Sequence, residues 1–148
     1  MANDTRHVRD VMTPNPHCVS DNDTIRDAAR IMKDEDTGVV PVIDGGKKII
    51  GLITDRDIVV RLIAEGKDPG SARVNEVMTK SVRKVNEDAT VKEVLTMMSS
   101  SEIRRVPVVN DRDEIVGIVS IGDIATQANQ EGRIGQAIGD ISQAPPNN

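Results

Sequence analysis

Apolar and polar residues alternate with two different periods along this chain. Small and aliphatic residues first recur at the spacing of one helical face, at Ile25, Ala28, Ala29 and Met32. This spacing predicts a helix with one buried stripe. Asp23 is the expected N-cap of a helix that starts at Thr24, with Asp27 in its first turn. Gly38 is the expected stop at the other end.

The period then changes to one typical of strands. Val39–Ile43 and Ile49–Thr54 are short apolar runs separated by the turn residues Asp44-Gly45-Gly46, which predicts two strands. Pro41 lies inside the first run, where a proline indicates an edge strand or a break in the ladder. A second helical pattern follows over residues 55–65. Its predicted apolar face consists of Ile58, Val59, Leu62 and Ile63.

The whole pattern occurs twice at one offset. Residues 8–13 match residues 74–79 without a gap, which is an offset of 74 − 8 = 66. The same offset relates further like residues: Thr24 and Thr90, Met32 and Met98, Val40-Pro41-Val42 and Val106-Pro107-Val108, Gly51 and Gly117, Thr54 and Ser120, Asp57-Ile58 and Asp123-Ile124. Two copies predict a pseudo-symmetric unit in which each half covers the apolar face of the other.

Each copy is predicted to read strand, helix, strand, strand, helix. In the second copy the helix stripe is Val91, Val94, Leu95 and Met98, and the two later strands are Arg105–Val109 and Ile115–Ser120. The predicted division is a first repeat over residues 1–66, a linker over 67–73, a second repeat over 74–131 and a C-terminal segment over 132–148. In that last segment a short helix is predicted from Ile134, Ala137, Ile138 and Ile141, followed by a disordered tail.

Composition disfavours several classes of partner. The formal net charge is −5, and the chain contains no Phe, Tyr or Trp. Nucleic acids and anionic membranes are therefore disfavoured, because they are bound by clustered cations and stacking rings. Cys18 is the only cysteine, so no intrachain disulfide forms. The expected location is the cytoplasm, since no apolar run has the length of a membrane span and no signal-peptide core is present.

Three motifs recur in both copies and carry a family resemblance. They are an opening helix that ends in Met-Thr, a hydrophobic-Pro-Val strand, and a Gly-x-x-Thr/Ser-x-x-Asp stretch before a helix: Met12-Thr13, Val40-Pro41-Val42 and residues 51–57, then Met78-Thr79, Val106-Pro107-Val108 and residues 117–123. Each copy resembles a cystathionine-β-synthase (CBS) motif, and residues 8–128 resemble a Bateman module. Small stand-alone bacterial CBS-pair proteins, including those of the hypoxic-response type, look similar. The resemblance implies an α+β fold with α/β-like character, built from two β-α-β-β-α motifs packed sheet to sheet.

The resemblance also implies two inter-motif clefts that bind an adenosine derivative such as AMP, ADP, ATP or S-adenosylmethionine, with no cofactor required. In the first cleft the candidate residues are Val40, Pro41, Thr54, Arg56 and Asp57. In the second cleft they are Arg104, Arg105, Val106, Pro107, Ser120 and Asp123.

The residue types suit that ligand. Thr54 and Asp57 lie where a strand gives way to a helix, a place where free N–H groups attract phosphate. A carboxylate there accepts hydrogen bonds from ribose hydroxyls, and arginine forks bind phosphate. The Val-Pro pairs would form aliphatic walls for adenine in a chain without aromatic rings.

The two copies differ at this motif. Asp55 adds a second carboxylate beside Asp57, and that charge repels a polyphosphate. Ile121-Gly122 takes the place of Asp55-Arg56 in the second copy, which also contains the Arg104-Arg105 pair. The cleft around Ser120 and Asp123 is therefore the favoured phosphate site.

Simpler interpretations stand beside these. The threonine, serine and aspartates of the motif also serve as helix caps without any ligand, and Arg104-Arg105 is equally consistent with a solvated pair. His17 and Cys18 are adjacent, so in a strand they point to opposite faces, which argues against a shared metal.

A regulatory role fits these observations better than catalysis. The sequence has no phosphate-transfer loop, no metal-ligand cluster and no evident nucleophile beside either histidine. The expected function is a ligand sensor that signals through a homodimer or an unknown effector protein. The alternative is a stress-response interaction protein whose clefts no longer bind nucleotide.

Overall fold

The computed structural model describes residues 6–128, with side chains up to residue 126. The predicted C-terminal helix and tail lie outside these residues. The described residues form two compact units. We call Pro16–Val82 the first-repeat unit, and residues 6–15 together with 83–128 the second-repeat unit.

The predicted order of strand, helix, strand, strand, helix is confirmed in both repeats, and the fold is a mixture of helices and strands. In chain order the elements are a 3₁₀ turn Val8–Asp10, β1 (Thr13–Pro14), β2 (Val19–Ser20), α1 (Ile25–Glu35), β3 (Val39–Ile43), β4 (Ile49–Thr54), α2 (Asp55–Asp57), a π-helical segment Ile58–Ile63, a 3₁₀ turn Val74–Glu76, β5 (Val85–Asn86), α3 (Val91–Ser101), β6 (Arg105–Val109), β7 (Ile115–Ser120) and α4 (Ile121–Ala128).

Each unit also contains the first residues of the other repeat, which we call its opening segment. Residues 8–14 are the opening segment in the second-repeat unit, and residues 74–79 are the opening segment in the first-repeat unit. The N–H of Val8 donates to the carbonyl of Ala89 at 2.7 Å, and β1 pairs antiparallel with β7. In the other direction, the N–H of Val74 donates to the carbonyl of Asp23 at 2.8 Å, and Thr79 exchanges two hydrogen bonds with Leu52. Each compact unit therefore combines most of one repeat with the opening segment of the other.

The two sheets have matching registers. The first-repeat sheet has the order β2-β3-β4, and the second-repeat sheet has the order β1-β7-β6-β5. Pro41 lies in the central strand β3 rather than in an edge strand. However, β2 pairs only with Val42 and Ile43, so within the described sheet no strand lies beside Pro41 on that side. The missing N–H of the proline is accommodated there.

Helix α1 begins and ends one or two residues away from the predicted positions. Thr24, not Asp23, is its N-cap: its hydroxyl oxygen accepts the N–H of Asp27, whose carboxylate accepts the N–H of Thr24. The carboxylate of Asp23 instead accepts the N–H of Ser20 at 2.8 Å. Asp36, not Gly38, takes the left-handed conformation at the end, with φ of 52°. Short polar side chains tolerate that conformation, which is why the glycine was not needed.

The predicted apolar face of the second helix is only half correct. Leu62 is fully buried and Ile58 packs against the same core, but Val59 and Ile63 are 59% and 55% exposed. The segment is π-helical, and the N–H of Ala64 donates to the carbonyl of Val59. Because this bond spans five residues rather than four, spacing counted for an α-helix misplaces the buried face.

Each unit has its own hydrophobic core. In the first-repeat unit the buried members are Val19, Ile25, Ala28, Val40, Val42, Ile53, Leu62, Ala72, Val74, Val77 and Met78. In the second-repeat unit they are Val8, Val11, Val85, Val91, Val94, Leu95, Met98, Val106, Val108, Val119 and Ile124. Among the described residues, no helix has both the length and the apolar character needed to cross a membrane.

Candidate functional site

Each unit has a strand-to-helix junction closed by the same pair of hydrogen bonds. In the first-repeat unit the hydroxyl oxygen of Thr54 accepts the N–H of Asp57, and a carboxylate oxygen of Asp57 accepts the N–H of Thr54, both at 3.0 Å. In the second-repeat unit Ser120 and Asp123 make the same two bonds, at 2.9 and 3.0 Å. The capping interpretation of these four residues is therefore correct as far as it goes, and it leaves part of each carboxylate for other partners.

The motif glycines allow an opening segment to approach each junction closely. A Cβ on Gly51 would lie 2.8 Å from the carbonyl oxygen of Thr79, and one on Gly117 would lie 3.0 Å from that of Thr13. At Gly51 the neighbouring backbone would have to move, whereas at Gly117 a Cβ would come closest to the Met12 side chain, so both positions favour glycine. The glycine of the motif is thus explained by packing, without a ligand.

Two further polar side chains lie beside the carboxylate of Asp57. The hydroxyl of Thr79 donates to its oxygens at 3.3 and 3.4 Å. Arg61 Nε lies 3.8 Å from Oδ1 of Asp57. Asp57 is only 8% exposed and is the one charged residue that is buried among the described residues.

Asp123 has fewer partners among the residues whose side chains are described. It is half-buried, and among the described residues its carboxylate has one hydrogen-bond donor, the N–H of Ser120. Gln127 occupies the position of Arg61 in the second repeat, and Thr13 occupies that of Thr79. No hydrogen bond links Thr13 to Asp123 in the described part of the chain. Among the residues whose side chains are described, the second junction therefore has fewer polar partners than the first.

The strand edge beside the second junction also presents backbone groups. The N–H of Ile121 donates to the carbonyl of Arg104 at 2.9 Å. Because antiparallel strands alternate the direction of their backbone groups, the N–H and C=O of Arg105 point away from β7. Beyond β6 on that side lies β5, which pairs only with Val108 and Val109 and does not reach Arg105.

In the first-repeat unit the equivalent edge is covered by a side chain. The hydroxyl of Thr37 accepts the N–H of Val39 at 3.3 Å and donates to its carbonyl at 3.2 Å. Ile103 stands at the position of Thr37 in the second repeat and has no hydroxyl to do this. Among the described side chains, both the carboxylate and the strand edge thus have fewer partners in the second-repeat unit.

The predicted aliphatic walls lie mostly in the cores. Val40 and Val106 are fully buried members of the two cores, and Pro41 and Pro107 are buried in the same strands. The side chains of the two valines face the core side of each sheet, so they support the sites from behind. These strands therefore contribute their backbone, rather than the valine side chains, to the two sites.

The structure brings one of the predicted arginines to its junction. Arg105 lies directly opposite Ser120 in the register of β6 and β7, on the same face of the sheet. Arg104 is half-buried one residue earlier, whereas Arg56 is exposed at the first junction. In the second-repeat unit, Arg105, Ser120 and Asp123 therefore form one group.

Three residues at the first junction were missed by sequence reasoning: Thr79, Arg61 and Thr37. Thr79 belongs to the recurring Met-Thr motif, so the repeat itself contained a signal for it. Arg61 and Thr37 have no like residue at the offset of 66. The pattern that the two repeats share therefore does not indicate Arg61 or Thr37.

His17 and Cys18 have separate partners. His17 Nδ1 lies 2.9 Å from a carboxylate oxygen of Glu35, and the thiol of Cys18 donates to the carbonyl of Pro16 at 3.3 Å. Burial raises the pKa of the Cys18 thiol to about 11, although Lys47 opposes the shift. Within residues 6–128, no three His, Cys, Asp or Glu side chains are grouped so that they could hold a metal ion.

Comparison with known proteins decides the family. The model of the CBS domain matches residues 8–64 and 74–128. The chain belongs to the CBS-domain family. Among its relatives, the uncharacterized protein YlbB of Bacillus subtilis is 39% identical over 92% of this chain and 91% of its own length. Hypoxic response protein 1 of Mycobacterium tuberculosis is 37% identical over 79% of this chain and 81% of its own length. The resemblance to small stand-alone CBS pairs is confirmed.

Solved structures of CBS pairs share the fold. Hypoxic response protein I with two coordinated zinc ions has a TM-score of 0.75 at 35% identity, covering 82% of this CBS pair and 98% of that chain. The CBS pair of protein MJ0100 in complex with 5-methylthioadenosine and S-adenosylmethionine has a TM-score of 0.74 at 32% identity, covering 84% and 97%. CBSX2 in complex with AMP has a TM-score of 0.73 at 25% identity, covering 84% and 97%.

Proposed function

We propose that this CBS pair is a regulatory, non-catalytic module that binds an adenosyl ligand and signals through a dimer or an effector protein. The observation that carries the proposal is the group formed by Arg105, Ser120 and Asp123 at an open strand-to-helix junction. Two CBS-pair structures with the same fold contain AMP or S-adenosylmethionine, which supports the same ligand class here.

The chemistry of the group matches the parts of such a ligand. The carboxylate of Asp123 accepts hydrogen bonds from the two ribose hydroxyls. The backbone N–H and C=O of Arg105 complement the acceptor and donor on the edge of adenine. The guanidinium group of Arg105 attracts a phosphate or carboxylate. The adenine is held by backbone groups, which suits a chain that has no aromatic residue.

Thermal unfolding followed with a dye tests this proposal against AMP, ADP, ATP and S-adenosylmethionine. A ligand at about a hundred times its Kd adds about 2.7 kcal/mol to the free energy of unfolding. We expect one of these compounds to raise Tm by roughly 5–10 °C, and Asp123→Ala to abolish the shift.

Glu93→Ala is the matched control, because Glu93 closes the capping box of α3 with Thr90 in the same unit. It removes a comparable cap without touching the junction, so the Tm shift with ligand should persist. A protein that ignores all four compounds would overturn the proposal in favour of an interaction protein. An unchanged shift in Asp123→Ala would overturn the site.

We also propose that the chain forms a homodimer through the π-helical segment. Val59, Val60 and Ile63 are 59%, 45% and 55% exposed, and they are the exposed large hydrophobic side chains of the described residues. Clustered exposed apolar side chains favour a protein interface. Light scattering should give twice the mass of one chain at micromolar concentration, and Ile63→Asp should halve it. A monomeric wild-type protein would contradict the dimer.

A further inference from the structure

We propose that Arg61 keeps the first junction closed to ribose, so that each chain takes one adenosyl ligand, at the Asp123 junction. This inference rests on the proposed function and concerns its stoichiometry. It assigns Arg61 a role as the residue that makes the two repeats unequal.

The first argument is the number of acceptor positions left on each carboxylate. An ionised carboxylate offers about four lone-pair positions. Asp57 already accepts hydrogen bonds from the N–H of Thr54 and the hydroxyl of Thr79, and Arg61 Nε lies 3.8 Å from its Oδ1 as an ion-pair partner. Because Asp57 is only 8% exposed, the two hydroxyls of a ribose reach its remaining positions only if the guanidinium of Arg61 moves away. Asp123 is half-buried and has one hydrogen-bond donor among the residues whose side chains are described, the N–H of Ser120.

The second argument is how Arg61 is held in place. Its Nη1 donates to the carbonyl of Met78 at 3.2 Å and to that of Val77 at 3.4 Å. These bonds fix the guanidinium against the segment that also contains Thr79. Arg61, Thr79 and Asp57 thus form one network, which a ribose at Asp57 would have to displace.

The third argument comes from the other repeat. Gln127 occupies the position of Arg61, yet the Ser120–Asp123 junction has the same capping bonds at the same distances. The fold of a CBS repeat therefore does not require an arginine there. The arginine must be explained by what it does in the first repeat alone, and its contacts there occupy the carboxylate.

Arg61 could instead attract a ligand phosphate, and the contacts argue against this. One of its terminal nitrogens is engaged by the two backbone carbonyls, and its Nε faces Asp57. Asp55 also adds a second carboxylate at that junction. A phosphate would meet two negative groups and a guanidinium whose donors are partly used.

The experiment counts ligands per chain by isothermal titration, with AMP and S-adenosylmethionine as probes. Four full-length proteins are compared: wild type, Arg61→Gln, Asp123→Ala, and Arg61→Gln combined with Asp123→Ala. The first substitution copies the residue of the second repeat. We expect about one ligand per chain for wild type, about two for Arg61→Gln, none for Asp123→Ala and about one for the double variant.

The outcomes separate this inference from the proposed function. Two ligands per wild-type chain, or no more ligands on Arg61→Gln than on a wild-type protein that binds, would overturn the inference alone, because Arg61 would then be neutral or a ligand contact. Wild-type binding that survives Asp123→Ala would overturn it too. No binding by any of the four proteins would overturn the proposed function and this inference with it. A melt of each variant without ligand confirms that it is folded.

Discussion

The two strand-to-helix junctions of this chain share one motif. They differ in the polar partners that surround the motif aspartate. Both have a hydroxyl and an aspartate that cap each other, and both have a glycine against which an opening segment packs. They differ in the surrounding contacts: Arg61, Thr79 and Thr37 contact polar groups in the first unit, whereas the described side chains of the second unit make no equivalent contacts. The two repeats therefore keep the same capped junction while the residues around it differ.

The helices after the junctions differ as well. In the first-repeat unit the π-helical segment is anchored by Leu62, which is fully buried. Ala128 occupies the matching position in the second repeat. Ile58 and Ile124 are the residues that both repeats share. The helical segment of the first unit is thus held by Leu62 and Arg61, two residues that have no like residue in the second repeat.

The largest effect is expected from Leu62→Ala. Removing this buried side chain should lower the free energy of unfolding by about 2–5 kcal/mol, because it leaves a cavity under the π-helical segment. Chemical denaturation measures the change. Ile63→Ala, on the exposed face of the same segment, should change it by less than about 0.5 kcal/mol at a protein concentration where the chain is monomeric. Equal effects would mean that the segment is not anchored as described.

The next largest effect concerns the glycines at which the two junctions are alike. Gly51→Ala and Gly117→Ala should each cost about 1–3 kcal/mol, because a Cβ would displace the packed opening segment. Gly45→Ala is the control, since a Cβ there meets nothing within 4 Å. If thermal unfolding shows a loss for only one of the two motif glycines, the close approach is not common to both units.

A smaller effect should distinguish the two aspartates. Asp123→Ala removes a cap and should cost about 1 kcal/mol, whereas Asp57→Ala also frees Thr79 and Arg61 and should cost about 2–3 kcal/mol. Urea unfolding of the ligand-free proteins gives both values. Equal costs would argue that the additional contacts of Asp57 contribute nothing to stability.

The last prediction concerns the reactivity of the Cys18 thiol, for which no effect on the fold is expected. Cys18 takes the position that Lys84 has in the second repeat. Burial raises the pKa of its thiol to about 11 from the ordinary 9.0, so the reactive thiolate is scarce at neutral pH. Alkylation by iodoacetamide at pH 7–8 should be about a hundredfold slower than for an exposed thiol, and the rate should rise up to about pH 11. A rate that levels off near pH 9 would contradict the burial of the thiol.

Much of the architecture could be predicted because it depends on short-range patterns. The repeat at an offset of 66, the order of helices and strands and the two Gly-x-x-Thr/Ser-x-x-Asp stretches all follow from residue spacing. The details at helix ends were wrong where two neighbouring residues compete for one role. Thr24 and Asp23 both qualify as a cap, and only the turn at Ser20, which engages Asp23, decides between them.

The sequence by itself determined the family, the β-α-β-β-α repeat and the residues at each junction, because hydrophobic period and turn chemistry act locally. Only the tertiary structure decided that each opening segment packs with the other repeat, and that Arg61 and Thr79 reach Asp57. Those contacts join residues that are distant along the chain or that differ between the copies. Their energies depend on distances which appear only when the chain has folded.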